Sequence, residues 1–286
     1  MLTIKKAPTI IVPGNCYSVG TGFENHAFFE APSIRKHDDI YYFIYSSEVM
    51  HELCYANSKS PAGPFTYGGV LVSNCDLHID TYKKADFPTC PGANNHGSIV
   101  QIGEDWYIFY HRHTNGNWFS RQGCAEKINF EADGSIPQVE ITSCGLNGGP
   151  LSDIGEYPSY IACNIFSDKT GIYVEQDNPR IVQESGTSDH EDSYIRDISD
   201  STVIGFKYFD LKDVTGIRLK VRGYAGGTFE VLNKLDGPVL GTVDIEFTNI
   251  WTAYEGKINV ENGKSALYLR FKGNGNAQLS SIEFLH

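Results

Sequence analysis

Residues 32–45 read PSIRKHDDIYYFIY, and residues 97–110 read GSIVQIGEDWYIFY. Each unit has Ser-Ile, a short strand, an acidic turn (Asp38-Asp39, then Glu104-Asp105) and an aromatic strand. That is one β-hairpin written twice at an offset of 65 residues. Further strand-like runs follow each copy: HELCYANS (51–58) and FTYGGVLV (65–72) after the first, RQGCAEKI (121–128) and QVEITS (138–143) after the second. About four strands per repeat describe an antiparallel unit of the kind that recurs as a propeller blade. The first strand of each blade lines the central channel, and here these strands begin near Glu30 and His96. Residues 1–155 hold two such repeats and a leading remnant, 1–23. Closed propellers have about four to eight blades, so about two and a half blades leave open strand edges.

Around Gly148-Gly149-Pro150 the pattern changes. From about residue 156 to His286 the chain reads as short strands at regular spacing: STVIGFKYFD, GIRLKVRG, GTFEVLN, GTVDIEF, SALYLRFKG and LSSIEFLH. Alternation is clear in Ile217-Leu219-Val221 and Leu267-Leu269-Phe271. About eight strands there predict a jelly-roll β-sandwich. The fold expected is all-β: a partial propeller over 1–155 and a sandwich over 156–286.

Composition fits this. Hydrophobic residues make up 41% and charged residues 20%, the balance of a folded chain rather than a disordered one. The 17 Tyr, 16 Phe and 29 Gly favour strands and tight turns. A net charge of −12 with no basic cluster excludes a nucleic-acid partner. No run approaches the length of a membrane helix, and MLTIKKAPTIIVPG lacks a leader-like apolar core, so a cytoplasmic location is expected. Seven cysteines at scattered spacing form no disulfide or zinc framework and read as free thiols of a reducing compartment.

Glu30, in HAFFEAPSI, follows two phenylalanines and precedes Ala-Pro. An apolar setting raises a carboxyl pKa, and a neutral carboxylic acid can protonate a leaving oxygen. The alternative is a buried glutamate bonded to a neighbouring blade. His96, in NNHGSIV, holds the corresponding place one repeat later, and either orients a carboxylate, binds an ion or water, or satisfies a core polar site. Arg121 opens the third strand of its repeat, facing either the pocket or solvent. The HRH at 111–113 has no carboxylate or thiol at metal spacing, and no metal-ligating set is read from the chain.

The motifs FFEAPSIRK (28–36), YYFIYSS (41–47), HELCYANSKSPAGPF (51–65), NNHGSIV (94–100), WYIFYHR (106–112) and SRQGCAEKI (120–128) resemble glycoside hydrolase family 43, in this order. The resemblance implies a five-bladed propeller acting on xylan and arabinan by inversion. It implies Glu30 as general acid, His96 as the channel histidine that in some members reaches a bound calcium or other ion, and Arg121 and Phe29 as further substrate contacts. In the family the general base and a pKa-tuning Asp lie on earlier blades, so a complementary N-terminal subunit, or self-association, is expected to complete the site. Residues 158–286 are similar to family 6 carbohydrate-binding modules through GTFEVLNKLDGPVLGTVDI (227–245), Trp251, KSALYLRFKG (264–273) and the closing SIEF. IACN (161–164) replaces the usual calcium-site residues of such modules, and Trp251 fits their core tryptophan. The expected function is an arabinofuranosidase or β-xylosidase fragment acting on xylose- and arabinose-containing polysaccharide. The alternative is a non-catalytic carbohydrate-binding protein or a truncated inactive product, and whether the isolated chain is an enzyme stays open.

Overall fold

The computed structural model describes residues 7–168, 171, 173, 178–183 and 193–286. The chain divides into two compact units. One takes the chain up to Ser73 with Asn94–Tyr110 and Lys127–Val139; the other takes Asn74–Ala93, His111–Glu126 and everything from Glu140.

In the first unit, β1 (Phe28–His37), β2 (Ile40–Ser47), β3 (Glu52–Ser58) and β4 (Thr66–Ser73) form a four-stranded antiparallel meander in sequence order. Asp38-Asp39 is the two-residue loop between the paired His37 and Ile40, with Asp38 in left-handed conformation, a role aspartate fills readily. The second copy behaves alike. β5 (Ser98–Ile102) pairs with β6 (Asp105–His113) in register from Ser98↔Phe109 to Ile102↔Asp105, and β7 (Arg121–Ile128) completes a three-stranded sheet. The repeat seen in the sequence is therefore two blade-like sheets.

The core of this unit is aromatic. Val12, Phe23, Phe43, Tyr45, Cys54, Ala56 and Phe65 pack on one side of the meander. On the other side the Phe130 ring stacks on His37 at 3.9 Å and meets Tyr42 at 5.2 Å and Trp106 at 5.4 Å. β2 is buried on both faces from Tyr42 to Ser47. Each such ring contributes on the order of 1.5–3 kcal/mol by leaving water.

The fourth strand expected at 138–143 does not form. The backbone donors there are committed elsewhere: Val139 N–H to the Leu71 carbonyl (2.9 Å), Ile141 N–H to the Asp76 carboxylate (3.0 Å), Thr142 N–H to the Glu126 carboxylate (2.6 Å) and Ser143 N–H to the Lys207 carbonyl (2.6 Å). A segment whose donors serve four different acceptors cannot also run a ladder.

The second unit carries β8 (Leu151–Ser152), β9 (Glu156–Pro158), β10 (Asn164–Phe166), β11 (Arg180–Gln183), β12 (Ser193–Ile198), β13 (Val203–Leu211), β14 (Gly216–Leu232), β15 (Gly241–Ile245), β16 (Thr248–Lys257) and β17 (Gly263–Leu285). GIRLKVRG and GTFEVLN, expected as separate strands, are one strand, β14; SALYLRFKG and LSSIEFLH likewise merge into β17. β14 and β17 pair antiparallel along almost their full length, from Gly216↔Leu285 to Leu232↔Tyr268. The glycines between those runs are bends within continuous strands. Gly223 has φ 135° and Gly227 φ 154°, and they pair with Ala277 and Gly273. Before the bend β14 pairs with β16; after it, with β15. β17 is flanked by β13 in its first half and by β12 and β9 in its second. The two strands thus turn a corner from one layer of the sandwich into the other. Phe209 of β13 and Phe284 near the end of β17 meet across the layers at 4.9 Å.

A buried charge network lies in this unit. The fully buried Lys207 ammonium sits 3.3 Å from Asp76, 3.2 Å from Glu140 and 3.4 Å above the Tyr82 ring. Burial pushes Asp76 above its ordinary value despite the neighbouring lysine. On Glu140, burial is outweighed by Lys207 and the hydroxyls of Thr81 and Tyr208, which leave it lowered. Asn164, in IACN, is buried and donates its amide to the Tyr82 hydroxyl (3.1 Å) and Thr89 Oγ1 (3.0 Å).

Candidate active site

Glu30 projects from an irregular stretch of β1. The register runs Phe28↔Ser47, Glu30↔Ser46, Ser33↔Ile44, with breaks on both sides of Glu30. Ala31 is left-handed at φ 58°, unusual for a residue with a Cβ. Pro32 sits within the bulge, where its missing N–H interrupts no ladder bond. The local sequence Glu-Ala-Pro thus re-aims Glu30 away from simple strand alternation, a recurring use of bulges. Phe28, before it, packs on Phe43 at 6.0 Å, whereas Phe29 is 52% exposed.

His96 lies just before β5, and its Nε2 is 2.6 Å from Glu30 Oε1. Two further contacts repeat the correspondence between the copies. The hydroxyls of Ser33 and Ser98 are 2.8 Å apart, and Arg35 Nε donates to the Ile99 carbonyl at 3.1 Å. Gly97 makes the approach possible: a Cβ there would fall 1.7 Å from the Phe109 carbonyl oxygen. In place of the apolar burial expected of Glu30, its side chain is 38% exposed and its carboxylate is held by an imidazole 35% exposed. The pair offers an accessible carboxyl in a fixed orientation, suited to passing a proton to a sugar oxygen.

Arg121, the first residue of β7, is exposed and belongs to the second unit. There it faces His113, whose imidazole is pushed down to about 4 by burial and then by the Arg121 charge. Arg112 is buried with its guanidinium on the carbonyls of Ala162 and Tyr160 and on Gln122, so the central residue of HRH is structural. Trp251 packs against Tyr194 at 5.3 Å with the Arg222 guanidinium 4.3 Å over its indole.

The ion that the family resemblance suggests near His96 can be tested against the side chains. Calcium takes about six to eight oxygen ligands. Glu30 and His96 supply one carboxylate and one imidazole, and they already engage one another. These two side chains alone supply too few oxygens for a calcium site.

One constellation was not read from the sequence. His26 Nδ1 lies 2.6 Å from Glu52 Oε1, which also accepts from Ser47 Oγ at 2.6 Å and from Cys54 Sγ at 3.3 Å. Glu52 and Cys54 are fully buried, and the His26 side chain is 28% exposed. The Tyr67 ring stacks on His26 at 4.9 Å, and the Tyr45 hydroxyl donates to the His26 carbonyl at 2.7 Å. The Glu52 hydrogen bond raises His26 against the opposing effect of burial. Burial would raise Glu52, but hydrogen bonds from His26 and Ser47 prevail and leave it lowered. Burial and the adjacent carboxylate push the Cys54 thiol well up.

No protein-family model matches the chain. It is 56% identical over 289 residues to a xylosidase/arabinosidase of Thermoclostridium stercorarium, a match covering 99% of this chain and 61% of that protein. The chain thus spans about three fifths of that relative's length. Among solved structures, it is similar to a glycoside hydrolase family 43 arabinoxylan arabinofuranohydrolase from Bacillus subtilis in complex with cellotetraose (TM-score 0.48, 21% identity, 91% of this chain and 54% of that one). It is also similar to a family 6 carbohydrate-binding module from Clostridium cellulolyticum in complex with xylose (TM-score 0.39, 17% identity, 47% of this chain and 99% of the module). With six ordered motifs on two blade-like sheets and 99% of this chain matched to that relative, the chain resembles glycoside hydrolase family 43 in its propeller part, which a β-sandwich follows in sequence.

Proposed function

We propose that this chain is part of a hemicellulose-trimming glycosidase of arabinofuranosidase or β-xylosidase type, with Glu30 as the general acid of an inverting reaction. The observation that carries this reading is the Glu30–His96 pair, 2.6 Å apart where two equivalent strands begin, on a bulge that presents the carboxyl. The relative of 56% identity, named a xylosidase/arabinosidase, supports the substrate class. In an inverting mechanism Glu30 gives its proton to the glycosidic oxygen as the bond breaks, and a second carboxylate about 6.5–9.5 Å away activates the attacking water. His96 holds Glu30 in place as a positioning residue. Phe29, exposed beside the acid, contacts the sugar, and Arg121 is a further substrate donor. The water-activating carboxylate comes from blades beyond the two described here, in a longer polypeptide, a complementary subunit or a second copy.

The test is hydrolysis of nitrophenyl arabinofuranoside and xyloside by the protein with its complementary blades, comparing Glu30→Gln. A loss of about 10²–10⁴-fold in kcat with sugar binding retained is expected for removal of a general acid. Full activity in Glu30→Gln would remove Glu30 from the chemistry, and retention of anomeric configuration by NMR would remove the inverting mechanism.

A further inference from the structure

We propose that His26, Glu52 and Cys54 form a binding site for a thiophilic divalent cation of the zinc type. The chemistry of the donor set comes first. One imidazole nitrogen, one carboxylate oxygen and one thiol sulfur, each offering a single atom, lie within 4.8 Å of one another. Mixed nitrogen, sulfur and carboxylate donors are those that zinc accepts, whereas calcium and magnesium call for oxygen alone.

The geometry is near what such an ion needs. Bonds of about 2.0–2.3 Å at tetrahedral angles place nitrogen and oxygen about 3.4 Å apart, and each about 3.6 Å from sulfur. The observed separations are 2.6 Å for His26 Nδ1 to Glu52 Oε1, 3.3 Å for Glu52 Oε1 to Cys54 Sγ and 4.0 Å for Cys54 Sγ to His26 Nδ1. The ion would widen the first and close the last by less than about 1 Å, replacing the protons that now hold the three together. Strand alternation puts Glu52 and Cys54 on one face of β3, so two donors are placed by the backbone itself. The third enters from the segment before β1, and the exposed side of His26 leaves a fourth position to water.

The surroundings are those of a supported site. Ser47 Oγ fixes the carboxylate, the Tyr67 ring fixes the imidazole plane, and the Tyr45 hydroxyl fixes the His26 backbone. Outer partners of this kind orient metal ligands. A purely structural reading explains the residue types less well. A buried ion pair is commonly no more stabilising than apolar residues of the same volume. A cation would tie the segment just before β1, at His26 four residues before Glu30, to β3. The inference stands on this cluster alone and does not depend on the glycosidase assignment.

The experiment uses the purified full chain, freed of metal by a chelator and titrated with Co²⁺ as a spectroscopic probe and then with Zn²⁺. Expected are one equivalent bound per chain and a thiolate-to-cobalt charge-transfer absorption. Cys54→Ser should abolish that absorption, and His26→Gln should weaken Zn²⁺ binding by at least about tenfold, a loss known even for outer-shell changes. Circular dichroism verifies that the variants fold. If Cys54→Ser does not fold, the partly exposed His26→Gln decides alone. Absence of the charge-transfer band in the parent chain, or full-affinity binding in His26→Gln, overturns the proposal.

Discussion

Replacing Gly97 with alanine perturbs the Glu30–His96 pair, to which the proposed function assigns the proton transfer, without touching either member. A Cβ at this position lies 1.7 Å from the Phe109 carbonyl oxygen, 2.7 Å from its carbon and 3.0 Å from Leu53 Cδ1. The nearest atoms are backbone of β6, fixed by the Ser98↔Phe109 pair, and cannot rotate away as a side chain would. Restoring an ordinary contact of 3.4 Å requires the strand to withdraw by about 1.7 Å. Overpacking of this kind costs roughly 1–3 kcal/mol, and loss of the first ladder bond of β5 adds about 1 kcal/mol. Gly97→Ala should therefore be destabilised by about 2–4 kcal/mol in urea unfolding. His96 is the adjoining residue, so the same displacement lifts its imidazole off Glu30. A misplacement of about 1 Å in a catalytic constellation can cost roughly 10²-fold, and kcat should fall on that scale. Gly123→Ala is the control, since a Cβ there meets nothing within 4 Å. If Gly97→Ala unfolds within about 0.5 kcal/mol of the parent, the range of an ordinary surface change, the close approach of the two strands is wrong.

Three other outcomes follow from the packing. Lys207→Met leaves the buried Asp76 and the partly buried Glu140 without their cation and should cost about 3–5 kcal/mol in denaturant unfolding; a neutral result would mean that water screens them. Gly223→Ala places a Cβ 2.4 Å from the Asn276 carbonyl oxygen at φ 135°, and should lower the melting temperature of the sandwich, as followed by its near-ultraviolet signal. The His26–Glu52 pair should stabilise most at mildly acidic pH. The raised His26 contributes fully below its ordinary 6.5 and loses that as pH rises through its folded value; the lowered Glu52 contributes above its ordinary 4.5 and loses that as pH falls through its folded value. With chelator present, the difference in Tm between parent and His26→Gln should peak between those two values, and a flat difference across pH would contradict the ion pair.

The hairpins were legible because their signals are local. Acidic turn residues at Asp38-Asp39 and the continuous aromatic-rich run YYFIY require nothing from the rest of the chain. The pairing of Glu30 with His96 was legible for another reason: a repeat places equivalent residues at equivalent heights, and Ser33 meeting Ser98 confirms the offset. What was not legible depends on partners distant in sequence. The strand expected at 138–143 fails because Asp76, Glu126 and the Lys207 carbonyl take its donors, and none of these is adjacent in the chain. Gly223 and Gly227 resemble loop residues unless the strand opposite, with Gly273 and Gly275, is known to bend with them. The His26–Glu52–Cys54 cluster joins residues 26 and 28 positions apart. Its one local trace was the alternation of Glu52 and Cys54 on one face of β3.

The long strands β14 and β17 bear on how the sandwich comes apart. In a sandwich assembled from short strands, one layer can fray while the other persists. Here each layer owns half of the same two strands, so the hydrogen bonds on either side of the Gly223–Gly227 corner share one backbone. Opening one layer pulls directly on the register of the other. Slow amide exchange should therefore be lost from both layers in a single event, with protection highest along β14 and β17 and lower at the edge strands β11 and β15. Such a module behaves as one cooperative clasp, resisting piecemeal proteolysis until it opens as a whole.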